Sequence, residues 1–261
     1  MVASPTISIS GSTFRTAGQV AVACSDLSRH FGGLKALQNV TVEMAAGEIL
    51  GILGPNGAGK TTFINVLSGL LPATSGSVRI YGEDVTALDM SGRARLGLLR
   101  TFQNTRPSDV MTGAEMLRLA TLSPNSSGGA AYAADELLQI FGLTAYADTI
   151  LSDLPYGVQK MINLAAVALC RPRVLLLDEP FQGVADPEIV KLSEVIRHFA
   201  ATGVAIGLVE HNVRSVMRLC HRVMVLDSGA LIFEGSGDDA VRDPGVQEAY
   251  LGQRFASELN A

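Results

Sequence analysis

Cysteine is scarce in this sequence. Cys24, Cys170 and Cys220 lie far apart and form no C-x-x-C pair, which leaves neither a zinc-ligand spacing nor a disulfide framework and fits a reduced, cytoplasmic setting. Basic excess is missing too: 20 Lys and Arg against 25 Asp and Glu give a net charge of −5. That balance argues against a nucleic-acid groove, because phosphate neutralisation needs clustered cations. No apolar run approaches the ~18 residues of a membrane-spanning helix. "NLAAVALC" at 163–170 is short and bounded by Lys160 and Arg171. The opening "MVASPTISISGSTFRTAGQ" is polar and Ser/Thr-rich, without the apolar stretch of a signal peptide. Residues 1–19 therefore read as a disordered tail, and membrane association is expected to go through a partner.

What is present is apolar. Hydrophobic residues make up 48% and charged ones 17% of the 261 positions, a composition that calls for a buried sheet or an apolar docking surface. The length suits one large α/β domain, or a core with a smaller lobe. Residues 20–50 alternate like strands around Gly32-Gly33, and "GSVRIYGEDV" (76–85) adds another strand. From about 88 to 160 the pattern turns helical. Thr112 and Glu115 form a capping-box signature there, and "ADELLQIFG" is a short helix stopped by Gly142. Apolar strands "RVLLLDE" and "VAIGLVE" then flank a helix with Ile189, Leu192, Ile196 and Phe199 on one face. Strand, helix and strand in this rhythm imply a parallel sheet with crossover helices. "HRVMVLDSGALIFEG" reads as two strands around a Ser-Gly turn.

The chemistry is densest at Gly54-Pro55-Asn56-Gly57-Ala58-Gly59-Lys60-Thr61, followed by Thr62, which satisfies G-x-x-x-x-G-K-[ST] between a buried strand and a helix. Glycines let successive backbone N–H groups turn toward phosphate oxygens, and the helix start adds its positive dipole end. Lys60 can reach the β- and γ-phosphates, and Thr61 can ligate Mg²⁺. ATP and Mg²⁺ are the expected ligands. A phosphate-bound Mg²⁺ also needs a carboxylate at a neighbouring strand end, where "VLLLDE" offers Asp178. Glu179 follows at the turn, placed to polarise an attacking water.

With these residues the chain resembles the ATP-binding cassette ATPases from about residue 20 to 252. The resemblance implies a P-loop NTPase core of mainly parallel sheet, with an N-terminal antiparallel β part and an inserted helical lobe at about 88–160. Residues 253–261 are left as a C-terminal tail. It also implies that ATP is sandwiched between two subunits, and that the helical lobe pushes on membrane permeases. Gln103 in "RTFQN" matches the glutamine that contacts metal or water, and His211 in "LVEHNV" matches the histidine that reaches the γ-phosphate. Phe31 falls where an aromatic stacks on adenine; a core aromatic is the competing reading. "HFGGLKALQNVTVEM", "LRTFQNTR", "VEHNVRSVM" and "EAYLG" look like the ATPase subunits of bacterial branched-chain amino acid and amide uptake systems. Those imply a second, similar ATPase subunit, two transmembrane permeases, a periplasmic binding protein and a place on the cytoplasmic face of the inner membrane. "DEPFQGV" and "HNVR" also look like the lipopolysaccharide-export ATPase. A soluble non-transport cassette ATPase and an ATP-binding regulatory subunit of low turnover are the further alternatives.

One loop departs from the family. "LPYGVQ" aligns on Leu-Ser-Gly-Gly-Gln, the signature that contacts the partner's ATP, with Pro155 at the serine and Tyr156 at the first glycine. Gly157 is kept. Pro155 has neither hydroxyl nor backbone N–H, and Val158 removes the glutamine amide. Ala166 stands where the family usually has arginine. In "FQGVADPE" Ala185 occupies the usual aspartate position, and Asp186 is either its displaced equivalent or a helix N-cap before Pro187. Residues expected to act on this subunit's own ATP are present, whereas the changes fall on elements facing the partner's. A heterodimer with one weak composite site is the expectation.

Overall fold

The computed structural model describes residues 18–101, 108–122, 133–210 and 213–251. They form two compact units, one of residues 18–101 with 172–251 and the other of residues 108–171. In the first unit, β1 (Val20–Phe31) and β2 (Leu34–Ala45) pair antiparallel across the Gly32-Gly33 turn. With β4 (Ser75–Ile80) and β5 (Glu83–Asp84) they make a four-stranded sheet in the order β2-β1-β4-β5. The other strands are β3 (Ile49–Leu53), β6 (Leu98–Arg100), β7 (Val174–Asp178), β8 (Ala205–Val209), β9 (Arg222–Asp227) and β10 (Ala230–Gly235). They form a second sheet in the order β10-β9-β3-β8-β7-β6. It is parallel except at the β9–β10 hairpin.

β3, β7 and β8 are buried at every position, so they read as unbroken apolar runs, as strands covered on both faces must. Gly51 is needed for that cover: a β-carbon on it would stand 2.5 Å from Val216 Cγ1, in α7 (Val213–Leu219). Between the sheets runs α1 (Lys60–Leu67), which packs against β1, β2 and β7 through its buried apolar residues Phe63, Ile64, Val66 and Leu67. The C-terminal end of α1 is capped by Arg93, only 1% exposed, whose Nη1 donates to the carbonyls of Val66 and Leu67 at 2.7 and 2.8 Å. A guanidinium there satisfies carbonyls that the helix leaves open and sits at the negative end of its dipole.

Arg93 belongs to α2 (Met90–Arg95), and β6 pairs with β7. Both elements therefore belong to the sheet unit, which moves the start of the helical unit well past the expected residue 88. In the helical unit are α3 (Gly113–Ala120), α4 (Ala134–Ile140) and α5 (Tyr156–Leu169), with single 3-10 turns at Thr144–Tyr146 and Leu151–Asp153. Its end is also later than expected, because α5 continues unbroken past residue 160. The Thr112 capping box is formed, Thr112 Oγ1 accepting from the Glu115 amide and Glu115 Oε2 from the Thr112 amide. Gly113 lets α3 approach α5: a β-carbon there would meet Ile162 Cδ1 at 2.9 Å. The helix α6 (Asp186–Ala201) has Ala185 at its N-cap. Asp186 is thus its first residue rather than its cap, and Ala185 lacks the acceptor that a cap needs. Among the described residues, no helix is long and apolar enough to cross a membrane.

Candidate active site

Parallel pairing puts the C-terminal ends of β3, β8, β7, β6 and β9 on one edge of the sheet, the edge where such sheets bind ligands. From β3 the chain enters the Gly54–Gly59 loop and then α1. Gly59 is the N-cap, at φ 104°, with no side chain capping the helix start. A β-carbon there would stand 2.6 Å from the Ala36 carbonyl oxygen. Only glycine fits the position. The β9–β10 turn supports the loop, since the Gly229 amide donates to the Ala58 carbonyl at 3.0 Å. β2 in turn supports the turn: the Gln38 amide donates to the Gly229 carbonyl and Gln38 Nε2 to the Ser228 carbonyl.

Lys60 is 6% exposed, and its Nζ donates to the carbonyls of Gly54 and Pro55 at 2.6 and 2.9 Å. Burial pushes the ammonium pKa below the ordinary lysine value, while the charges of Glu179 and then Asp178 pull it back up. Glu179 is 6% exposed at the end of β7, in the left-handed region at φ 50°. Its amide donates to the Val209 carbonyl of β8 at 2.9 Å. A non-glycine residue in that conformation carries strain of about 1 kcal/mol or more, which the surrounding structure has to hold. Asp178 is buried, and its Oδ2 accepts from Arg100 Nη2 at 3.3 Å. The same guanidinium donates through Nη1 to Asn65 Oδ1 at 2.7 Å and Ser68 Oγ at 3.2 Å, both at α1. Burial lowers the Arg100 pKa, opposed by the Asp178 charge.

A cavity of about 510 Å³ opens on this edge, lined by Phe31, Asn56, Lys60, Thr61, Glu179 and Gly229 among others. Phe31 is 42% exposed, with the Arg29 guanidinium 4.5 Å from its ring centroid. It is a cavity-lining aromatic and not a core one. Pro55, Gly57, Ala58 and Thr62 belong to the same loop and helix start. Gln103 and His211 lie outside the described residues.

Sequence reasoning missed Arg100, Glu210 and Tyr250. An arginine closing the apolar "LLR" is the signal for the first. Glu210 is 4% exposed, and its Oε1 accepts from the Phe181 amide at 2.6 Å, fixing the chain just beyond Glu179. The Tyr250 hydroxyl accepts from the Gly54 amide at 2.7 Å, and no local pattern connects residues so far apart in the chain.

In the helical unit Pro155 is the N-cap of α5, at φ −54° and ψ 144°, and its side chain accepts no capping hydrogen bond. Tyr156 is 41% exposed, with Lys160 Nζ 5.0 Å from its ring centroid. Val158 is only 2% exposed and Ala166 7%.

A parallel sheet with a glycine-lysine loop, two carboxylates at a strand end and an added antiparallel sheet defines a nucleoside-triphosphate-hydrolysing core. Residues 37–182 match the ABC transporter family, and the chain belongs to that family. It is 34% identical over 220 residues to the lipopolysaccharide export system ATP-binding protein LptB of Acidithiobacillus ferridurans, covering 84% of this chain and 91% of that one. It is also 34% identical over 247 residues to the high-affinity branched-chain amino acid transport ATP-binding protein BraF of Pseudomonas aeruginosa, covering 88% and 96%. Among solved structures it resembles the ADP conformation of an ATP-binding cassette of an ABC transporter, with a TM-score of 0.80 and 26% identity over 90% of this chain and 99% of that one. The protein is an ATPase that powers a transporter.

Proposed function

We propose that this subunit binds ATP in the 510 Å³ cavity, hydrolyses it with Glu179 as general base, and drives uptake of branched-chain amino acids or related amides. The observation that carries the chemistry is the meeting of the phosphate loop, Lys60 and Glu179 on that one cavity. Lys60 would exchange the carbonyls of Gly54 and Pro55 for phosphate oxygens, moving from dipoles to full charges. Loop N–H groups and the start of α1 would hold the β-phosphate. Phe31 would stack on the adenine. Glu179 would accept a proton from the water that attacks the γ-phosphorus as the bond to the bridging oxygen breaks and ADP departs. Mg²⁺ fits the hard oxygen donors Thr61 and Asp178, with Gln103 as a third expected contact, and would supply charge neutralisation on the phosphates when bound. His211 would contact the γ-phosphate.

The uptake reading is supported by the sequence segments shared with that group and by a match spanning 96% of BraF. Export of lipopolysaccharide is the second reading, favoured by equal identity to LptB. The two differ in assembly: uptake pairs this chain with a second ATPase subunit, two permeases and a periplasmic binding protein, whereas export pairs it with itself. Calorimetry of Lys60→Ala tests the site, and loss of tight Mg-ATP binding is expected because the ammonium between the β- and γ-phosphates is gone. Unchanged affinity would sink the assignment. Purification from detergent-solubilised membranes, followed by identification of the second ATPase, separates uptake from export.

A further inference from the structure

The first glycine of the phosphate loop is held from two sides. Its carbonyl accepts from Lys60 Nζ at 2.6 Å, and its amide donates to the Tyr250 hydroxyl at 2.7 Å. Gly54 is buried at φ 149°, and a β-carbon on it would stand 2.3 Å from the Leu226 carbonyl oxygen. It also follows the last ladder pair of β3, Leu53 with Val225, so no strand neighbour takes its N–H. A buried amide needs a partner. Tyr250 supplies the partner from α9 (Pro244–Leu251), 196 residues further along the chain.

That helix is itself anchored. Asp243 Oδ1 accepts from the Val246 amide at 2.9 Å at its start, Gln247 Nε2 donates to the Val241 carbonyl at 2.8 Å, and Val246 is 1% exposed. The Tyr250 hydroxyl is therefore presented from a fixed base.

We infer that Tyr250 is a positioning residue for nucleotide binding: through its hydroxyl, α9 holds Gly54, and with it the phosphate loop, in the conformation that receives the triphosphate. The inference rests on the reading of the cavity as the ATP site. Without the hydroxyl, the Gly54 amide turns to other acceptors and the competent loop is populated for only part of the time, which weakens binding by that fraction. Linkage requires the reverse as well, so bound ATP must tighten α9.

Tyr250→Phe keeps the ring and removes one oxygen. In calorimetry with Mg-ATP its Kd should rise about fivefold, with the thermal midpoint of the nucleotide-free chain moving by less than about 4 °C. In membranes carrying the assembled transporter, the KM for ATP should rise by a similar factor while kcat holds. In the wild-type chain, saturating ATP should slow amide hydrogen exchange across Pro244–Leu251. An unchanged Kd in Tyr250→Phe beside lost binding in Lys60→Ala overturns the inference and leaves the ATP site standing. A fall in kcat at constant KM, or no ATP-dependent protection of α9, also overturns it. Unchanged binding in Lys60→Ala is a different result, and it removes the site reading underneath.

Discussion

Arg100 holds three things at once: the Asp178 carboxylate, Asn65 and Ser68. Both members of the ion pair are 5% exposed in their side chains, so the charge on Asp178 is balanced inside the protein and not by water. Removing one partner of such a pair leaves a buried charge, at a cost of about 3–5 kcal/mol. Arg100→Met should lower the urea midpoint of the nucleotide-free chain accordingly, with Arg100→Lys intermediate; a change under about 1 kcal/mol would mean that solvent already screens the pair. Glu179 carries a different expectation. Glu179→Gln keeps the left-handed residue and its amide bond to Val209, so ATP should still bind while hydrolysis slows ~100-fold or more, as for loss of a general base. Wild-type turnover in that variant would take Glu179 out of the reaction. The cysteines give a third residue-scale result. Burial pushes the thiols of Cys24 and Cys220 up to about 12, and only thiolates alkylate readily. Mass spectrometry after maleimide treatment of the native chain near neutral pH should find neither modified, and both modified in denaturant.

Helix α5 shows what a short element can and cannot reveal in advance. That Pro155 lacks a hydroxyl is plain from the sequence. That it is the N-cap, and that Val158 at the third helical position is buried, comes only from the fold. Pro155 already has cap-like backbone angles, so a serine fits without strain and could accept from the Val158 amide. The gain of about 1 kcal/mol from the cap is offset by the freedom that losing proline returns to the unfolded chain. Pro155→Ser alone should therefore leave the melting temperature nearly unchanged while raising turnover at the partner's site. A large drop in melting temperature would show that the proline is structural. Val158→Gln is less neutral, because it puts an amide where the valine is 98% covered unless the side chain folds back to the cap. Other elements were legible because their signals are local. The β3–loop–α1 unit, the buried β7 and β8, the Ser228-Gly229 hairpin and the Thr112 capping box each declare themselves within about twenty residues. The strand order, the pairing of the three-residue β6 and the partners of Arg100 and Gly54 depend on residues far apart in sequence, which no local pattern encodes.

At the scale of the assembled ATPase, under the proposed function, the residues that would face this subunit's own nucleotide are intact and those that would be offered to a partner are altered. Paired with a second, similar subunit, this chain's ATP would meet a competent signature, while the partner's ATP would meet Pro155 and Val158. Glu179→Gln should then stop most steady-state hydrolysis by the reconstituted pair, and the corresponding change in the partner should have the smaller effect. Equal losses, or brisk hydrolysis by this chain purified alone, would show that the two sites are equivalent. The sheet carries a further consequence, for synthesis. β3, which leads into the phosphate loop, lies between β8 and β9, and the loop itself rests on Gly229 and Tyr250. A growing chain thus completes the lysine loop early and waits on the order of ten seconds, at ordinary translation rates, for the strands that flank it. Until residues 205–227, which carry β8 and β9, have been made, the apolar β3 lacks the strands that flank it, and the nascent subunit exposes that strand before it can hold its first nucleotide.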